Sequence, residues 1–338
     1  MRAVRLDAPG APLRLVDVPT PEPSGTEVRI RVAGCGVCRT DLHIADGTQA
    51  RVQLPVVLGH EVAGWVDALG PVAEGPSIGD AVLVSGAWGC GACHECASGA
   101  EQRCPNGQAP GFQADGGYAE FMIVPHARHL VPLGPIDPVA AAPLADAGLT
   151  SYRAVRRVHP WLRAGARVLL IGCGGVGGFA LQYVRMHPAG PELVVAVAER
   201  SAARLERAKQ LGADHGLLDA DSAAVRSALD GDADVVLDLV GTDETLALAA
   251  EVVAADGIVM LVGEGGGALS FGFESPSVEA WLTTTAWGSV DELREVVALA
   301  AAGSLVMDVQ TMPLADAAAA HGRVRSLETA GRVVLVPG

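Results

Sequence analysis

Through roughly the first 148 residues the apolar positions come in short runs, Val28–Val32, Val62–Val66, Ala81–Val84 and Phe121–Val124, broken by glycine and proline. Runs of this length between breakers predict strands, so this part reads as β-rich. From about residue 150 the texture changes. Arg167–Ile171 is an apolar run followed at once by glycines and by a helical stretch that stops at His187-Pro188. Leu193–Ala198 reads as a second strand, and Ser201 as the cap of a helix that carries Leu205, Ala208 and Leu211 to Gly212. Val235–Leu239 and Ile258–Val262 are further strands. They flank a helix with Leu246, Ala249, Ala250 and Val253 on one face, stopped by Asp256-Gly257. Alternation of this kind predicts a parallel sheet covered on both faces. A last helix, about 291–302, opens on the capping-box pattern Ser289-Val-Asp-Glu292 and ends at Gly303. Arg332–Val336 reads as strand again and is expected to return to the first domain.

A chain of 338 residues, half of them hydrophobic, fits two packed domains. The formal net charge of −15 excludes a phosphate-backbone partner, which needs a basic stripe. Met1-Arg2-Ala3-Val4-Arg5-Leu6-Asp7 has no apolar secretory core, and no 18-residue apolar run follows, so no membrane association is expected and the expectation is a cytoplasmic protein. In a reducing compartment the seven cysteines, at 35, 38, 90, 93, 96, 104 and 173, point to metal or catalysis rather than to disulfides.

Gly172-Cys-Gly174-Gly175-Val176-Gly177 directly follows the run 167–171 and opens a helix, the context a dinucleotide fingerprint requires. The first glycine permits the tight turn, the second lets backbone approach a pyrophosphate, and the third allows close helix–strand packing. Glu199 ends the next strand, where a carboxylate can take both ribose hydroxyls and repel a 2′-phosphate, which favours NAD. Arg200 beside it pulls the other way.

Cys90, Cys93 and Cys96, with Cys104 eight positions on, can close a tetrahedral site with no open position, as a structural zinc needs. An iron–sulfur cluster is the rival occupant.

Gly34-Cys-Gly-Val-Cys38-Arg39-Thr40-Asp41-Leu-His43, Gly59-His60-Glu61, the four-cysteine lobe, Asp115-Gly-Gly-Tyr118-Ala-Glu120 and the glycine fingerprint together resemble the zinc-dependent alcohol dehydrogenases of the medium-chain dehydrogenase/reductase superfamily. The resemblance spans the chain and is closest in pattern to bacterial secondary-alcohol dehydrogenases with an aspartate zinc ligand. It implies an α/β fold: a β-rich GroES-like catalytic domain over 1–148 and 287–338, with a structural-zinc lobe at 88–105, and a Rossmann doubly wound domain over 149–286. It implies two Zn²⁺ per subunit, NAD(H), an alcohol or ketone substrate, and a homodimer or homotetramer pairing through a strand at about Trp281–Ala286.

Family members hold the catalytic zinc on two cysteines and a histidine. Carried onto this chain, Cys38 and His60 are ligands, and Asp146 stands where many members have the second cysteine. Its alternative reading is an ordinary turn or cap residue. Glu61 matches the carboxylate behind the metal, and Asp41 a partner that fixes the His60 tautomer. Thr40 and His43 fall at the proton-relay positions: in the family the proton passes from substrate oxygen through the threonine hydroxyl and the nicotinamide ribose to the histidine. Arg39 and Arg332 match pyrophosphate-contacting positions, and Arg204, Val240 and Val262 complete the implied cofactor contacts. Trp88, Ala286 and Trp287 are the implied substrate pocket, with core packing the alternative for each tryptophan. Two rivals stay open: a reductase of C=C or C=N bonds on this scaffold, and a non-catalytic NAD-binding sensor.

Overall fold

Val28-Arg-Ile-Arg-Val32 alternates apolar and charged side chains, and it forms the first half of the long strand Val28–Gly36, with Val28, Ile30 and Val32 buried. The computed structural model describes residues 1–49, 51–273 and 275–338. It divides into two compact units, Met1–Leu149 with Trp287–Gly338, and Thr150–Ala286.

In the first unit Val28–Gly36 is central to a seven-stranded sheet. Glu61–Leu69 lies antiparallel on one side, with Gly36 opposite Glu61. Arg332–Val336 lies antiparallel on the other, with Val334 opposite Gly36. Three strand ends thus deliver Cys38, His60-Glu61 and Arg332 to one place. Gly36 has no room for a side chain, because an added Cβ would stand 2.9 Å from the Glu61 Cβ. After Gly36 the chain turns into the helix Arg39–Asp46, capped by Cys38. The Asp41 carboxylate accepts the Cys38 N–H at 2.8 Å, and Gly47 closes the helix in the left-handed conformation.

The second unit is a six-stranded, wholly parallel sheet. Its order is His215–Leu218, Val194–Glu199, Arg167–Ile171, Ala233–Asp238, Val253–Leu261 and Trp281–Thr284. The chain starts in the middle, runs to one edge and returns to build the other, so the sheet is doubly wound, with helices connecting all its strands but the last pair. The central strands are apolar on both faces: Val168 to Leu170 and Val195 to Val197 are completely buried.

One expected element differs. The face Leu246, Ala249, Ala250 is buried in the helix Asp243–Val252, but Val253 opens the next strand and pairs with Ala233. No breaker separates helix from strand, so parallel pairing decides the boundary. Among the described residues no helix is long and apolar enough to cross a membrane.

Candidate functional site

Cys38, His60, Glu61 and Asp146 each offer a ligand atom within 4.8 Å of the others, and all four are buried. Cys38 Sγ and His60 Nε2 each lie 3.5 Å from Asp146 Oδ2. Tetrahedral zinc with bonds of about 2.0–2.3 Å sets its donors about 3.4–3.6 Å apart, so the three groups have the spacing the ion needs. Asp146 ends the short 3₁₀ turn Ala142–Ala145, and Glu61 Oε1 accepts the next backbone N–H, from Ala147, at 3.3 Å. Glu61 thereby holds the segment that presents Asp146.

Arg332 comes to the same cluster. Its guanidinium is buried against both Glu61 oxygens, with Nε 2.9 Å from Oε2, and its Nη2 is 3.7 Å from Asp146 Oδ2. It serves as the counter-ion of a buried carboxylate. A thiol, an imidazole and a carboxylate are together a donor set that zinc accepts. Burial pushes Glu61 up to about 7 against the pull of Arg332. Burial also pulls His60 down, yet Asp41, Asp146 and Cys38 more than reverse it and hold a proton there well above the usual histidine range. Behind His60, Nδ1 stands 3.3 Å from Asp41 Oδ1, close but without hydrogen-bond alignment.

Thr40 Oγ1 is 3.6 Å from Cys38 Sγ. His43 follows one turn later on the same helix and is half-buried; burial first, then Arg39 and Arg325, keep its imidazole below the usual value and neutral at pH 7. Arg39 is exposed at the start of that helix. Two aromatic rings meet the His60 imidazole edge-on, Phe112 at 5.7 Å and Trp287 at 6.4 Å, and Phe112 was not singled out from the sequence. Trp287 adopts a left-handed φ of 47° and lies over Gly86, where a Cβ would come 2.7 Å from its indole nitrogen. Ala286 beside it is exposed. Trp88 agrees with the core-packing alternative: it is buried in the β-rich core, its indole N–H donates to Ser85 O at 2.8 Å, and its ring centroid lies 6.3 Å from that of His129.

Cys90, Cys93, Cys96 and Cys104 also come within 4.8 Å of one another, with sulfur–sulfur distances of 3.5, 3.7 and 4.0 Å among them. About 3.8 Å follows from a tetrahedron of ~2.3 Å Zn–S bonds, so this set fits a closed zinc site. Backbone N–H groups around Cys90 hold its thiol down at about 6, so it readily supplies thiolate. The lobe is fastened by residues that the sequence reading passed over. Glu101 accepts the Gly89 N–H at 2.9 Å and pairs with Arg128, whose Nη2 donates to Gly89 O at 2.6 Å. Gly89 must be glycine, since a Cβ would stand 2.6 Å from Cys96 Sγ.

In the second unit the turn after Arg167–Ile171 has the geometry its glycines imply. Gly172 takes φ +89°, and a Cβ there would strike Val240 at 2.7 Å; a Cβ on Gly177 would run into the Gly172 carbonyl. Gly174 caps the helix Gly175–Met186, and the Val176 carbonyl accepts the Ser151 hydroxyl at 2.7 Å. This is a backbone cradle at a helix N-terminus, open to a phosphate. Glu199 faces it from the neighbouring strand, 8 % exposed. Its Oε2 accepts the Cys173 N–H at 2.8 Å, and Oε1 accepts those of Arg200 and Ser201 at 2.7 and 3.2 Å. Arg204 Nη1 is 3.9 Å from the same carboxylate, and Arg200 is exposed. Asp238, unnoticed in the sequence, organises the next turn. Its carboxylate accepts the Val240 and Gly241 N–H groups at 2.9 Å and the Thr245 hydroxyl at 2.8 Å, while its carbonyl accepts the Val262 N–H.

Comparison with known proteins agrees with this arrangement. Residues 24–135 match the family model "Alcohol dehydrogenase GroES-like domain", and residues 211–335 match "Zinc-binding dehydrogenase". The chain is 36% identical to a D-arabinose 1-dehydrogenase (NADP(+)) of Saccharolobus solfataricus, over 96% of this chain and 95% of the relative. It is 35% identical to an NAD-dependent alcohol dehydrogenase of Sulfurisphaera tokodaii over the whole of both chains. The crystal structure of the alcohol dehydrogenase from Aeropyrum pernix superposes with a TM-score of 0.94 at 33% identity, covering all of both chains. These matches span the chain, and the chain belongs to the zinc-dependent alcohol dehydrogenase family.

Proposed function

We propose that this protein is an NAD(H)-linked oxidoreductase that interconverts an alcohol, a secondary one by its pattern, and the corresponding ketone. One observation carries the reading: a buried cluster of Cys38, His60 and Asp146 at zinc-ligand spacing, with the Thr40 hydroxyl 3.6 Å from Cys38 Sγ. Cys38, His60 and Asp146 would hold the reactive zinc, and Cys90, Cys93, Cys96 and Cys104 the structural one. Gly172, Gly174, Gly175, Val176 and Gly177 would take the pyrophosphate, Arg204 its charge, and Glu199 the ribose; Val240 and Val262 would flank the cofactor. When bound, zinc polarises the substrate oxygen and the nicotinamide carries the hydride.

The chain's own groups do the rest. Thr40 donates or accepts the hydrogen bond at the substrate hydroxyl, and neutral His43 takes up the proton released on oxidation. Glu61 and Arg332 hold the Asp146 segment and set the local charge, and Phe112 with Trp287 walls off water beside His60. Trp287 would line the substrate pocket, while Trp88 packs in the core. Seven free cysteines suit the reducing cytoplasm. A homo-oligomer is supported by the edge strand Trp281–Thr284, where Trp281 is 59% exposed, with Phe271 and Phe273 also bare.

The test is a metal count with a turnover panel. Two zincs per chain are expected, one of them lost in Cys38→Ser, together with oxidation of secondary alcohols by NAD. One zinc that survives Cys38→Ser, or no turnover of any alcohol or ketone with NAD or NADP, sinks the reading.

A further inference from the structure

Asp41 uses its two oxygens differently. Oδ1 stands 3.3 Å from His60 Nδ1, whereas Oδ2 accepts the Cys38 N–H at 2.8 Å and the Tyr118 hydroxyl at 3.1 Å. The Tyr118 oxygen lies 3.3 Å from His321 Nε2. All four side chains are buried, and Asp41 and Tyr118 completely so. Directions follow from what each group can offer. Asp41 Oδ2 takes two donors, the Cys38 N–H and the Tyr118 hydroxyl, and acts there as an acceptor. Burial and Asp41 push Tyr118 well above its usual value, so it keeps its one proton and donates it to Asp41. Its oxygen is then free to accept, and His321, kept neutral by burial, supplies an Nε2–H.

Tyr118 holds the other side of His60 as well. Its backbone N–H donates to Leu58 O at 2.9 Å, and its ring packs on Gly59, which sits at φ +98° with no space for a side chain. One residue thus fixes both the backbone that leads into His60 and the carboxylate behind its imidazole. His321 arrives from the far end of the unit, on the buried face of the helix Ala317–Arg325.

We propose that Tyr118 and His321 are positioning residues for His60, acting through Asp41: the chain His321–Tyr118–Asp41 holds the His60 imidazole in the orientation and tautomer that present Nε2 beside Cys38 and Asp146. Without Tyr118, Asp41 Oδ2 keeps only the Cys38 N–H, and the carboxylate can swing away from Nδ1. The inference rests on reading Cys38, His60 and Asp146 as metal ligands. Loss of a partner behind a metal-bound histidine typically weakens metal binding about 10- to 100-fold.

The experiment times zinc release to excess chromophoric chelator from the wild type, Tyr118→Phe, His321→Leu, His321→Gln and the double variant Tyr118→Phe/His321→Leu. The wild type should release two zincs in separate phases, with the four-cysteine site as internal reference. Tyr118→Phe and His321→Leu should each speed one phase about tenfold or more and leave the reference phase unchanged. His321→Gln, whose amide can donate as Nε2–H does, should release at the wild-type rate. The double variant should be no faster than Tyr118→Phe, since the two act in one chain. The proposal fails if Tyr118→Phe and His321→Leu release at wild-type rates, if both phases speed up together, as a general loosening would produce, or if His321→Gln is as fast as His321→Leu. A wild type holding a single zinc removes the ligand reading itself, an outcome separate from any of these.

Discussion

Replacing Glu199 with glutamine removes a charge while keeping the side chain's length, and the structure sets the size of the effect. The carboxylate is almost wholly covered and faces the glycine turn through the Cys173 N–H. A unit charge about 4 Å from another is worth about 1 kcal/mol in water and about 4 kcal/mol near a protein surface. A 2′-phosphate carries more than one charge, so repulsion by Glu199 should disfavour NADP by about 2–4 kcal/mol, roughly 30- to 1,000-fold. In Glu199→Gln that term vanishes, and exposed Arg200 and partly covered Arg204 become the nearest charges. The ratio of kcat/KM for NAD over NADP should therefore fall at least about tenfold. The substitution has a second signature. Glutamine has one acceptor oxygen, so it can serve either the Cys173 N–H or the Arg200 and Ser201 pair, and not both. One side is left unpaired, and the apo protein should lose about 1–3 kcal/mol in urea unfolding. Steady-state kinetics with both cofactors and a denaturation curve give both numbers. A stability loss with a cofactor ratio unchanged within threefold would refute the argument, for Glu199 would then serve only the turn.

Asp146→Ala should leave one zinc per chain by elemental analysis and lower turnover at least about a thousandfold, because a Lewis-acid contribution of several kcal/mol leaves with the metal, whereas Asp146→Cys should keep two; two zincs with near-normal kcat in Asp146→Ala would exclude it as a ligand. His43 ionises below its usual value, so alcohol oxidation should persist through neutrality and fall only as pH drops beneath the ordinary histidine range. Arg325→Gln should move that acid limb to higher pH and Asp46→Asn to lower pH, and a limb that ignores both variants rules His43 out as the proton acceptor. Sedimentation should give a dimer or tetramer, reduced to monomer by Trp281→Glu with Leu282→Glu; a wild-type monomer at micromolar concentration speaks against pairing at this edge.

What was legible beforehand is what local spacing carries. Ala81–Val84, Phe121–Val124 and Arg167–Ile171 are apolar runs with breakers at their ends, and each forms a strand with those bounds. The four cysteines sit within fifteen positions, so their convergence needs only a tight loop. The helix Ala317–Arg325 was hidden in an alanine run, because a stretch with little contrast between faces has no periodicity to read. Val253 continued an apolar helical face and became a strand only through pairing with Ala233. The pairing of Arg332 with Glu61 was not legible for a related reason: the two are 271 positions apart, and nothing near either residue announces the pair. The contacts of Tyr118 with Asp41 and His321 span 77 and 203 positions.

The strand Arg332–Val336 gives the protein an order of assembly. Cys38, His60, Glu61 and Asp146 are all translated before the parallel-sheet unit, and Arg332 only after it. Before Arg332 is made, the chain has every ligand residue but lacks the cation that pairs with Glu61 in the folded protein. Leaving one member of such a pair unpartnered costs about 3–5 kcal/mol, a large share of a domain's total stability. The native pairing of the first unit is complete only when the second has been made and the chain has come back. Translation halted short of Arg332 should then yield protein that quality control removes, even with every metal ligand present, so only polypeptides that have passed through both units keep a closed reactive centre.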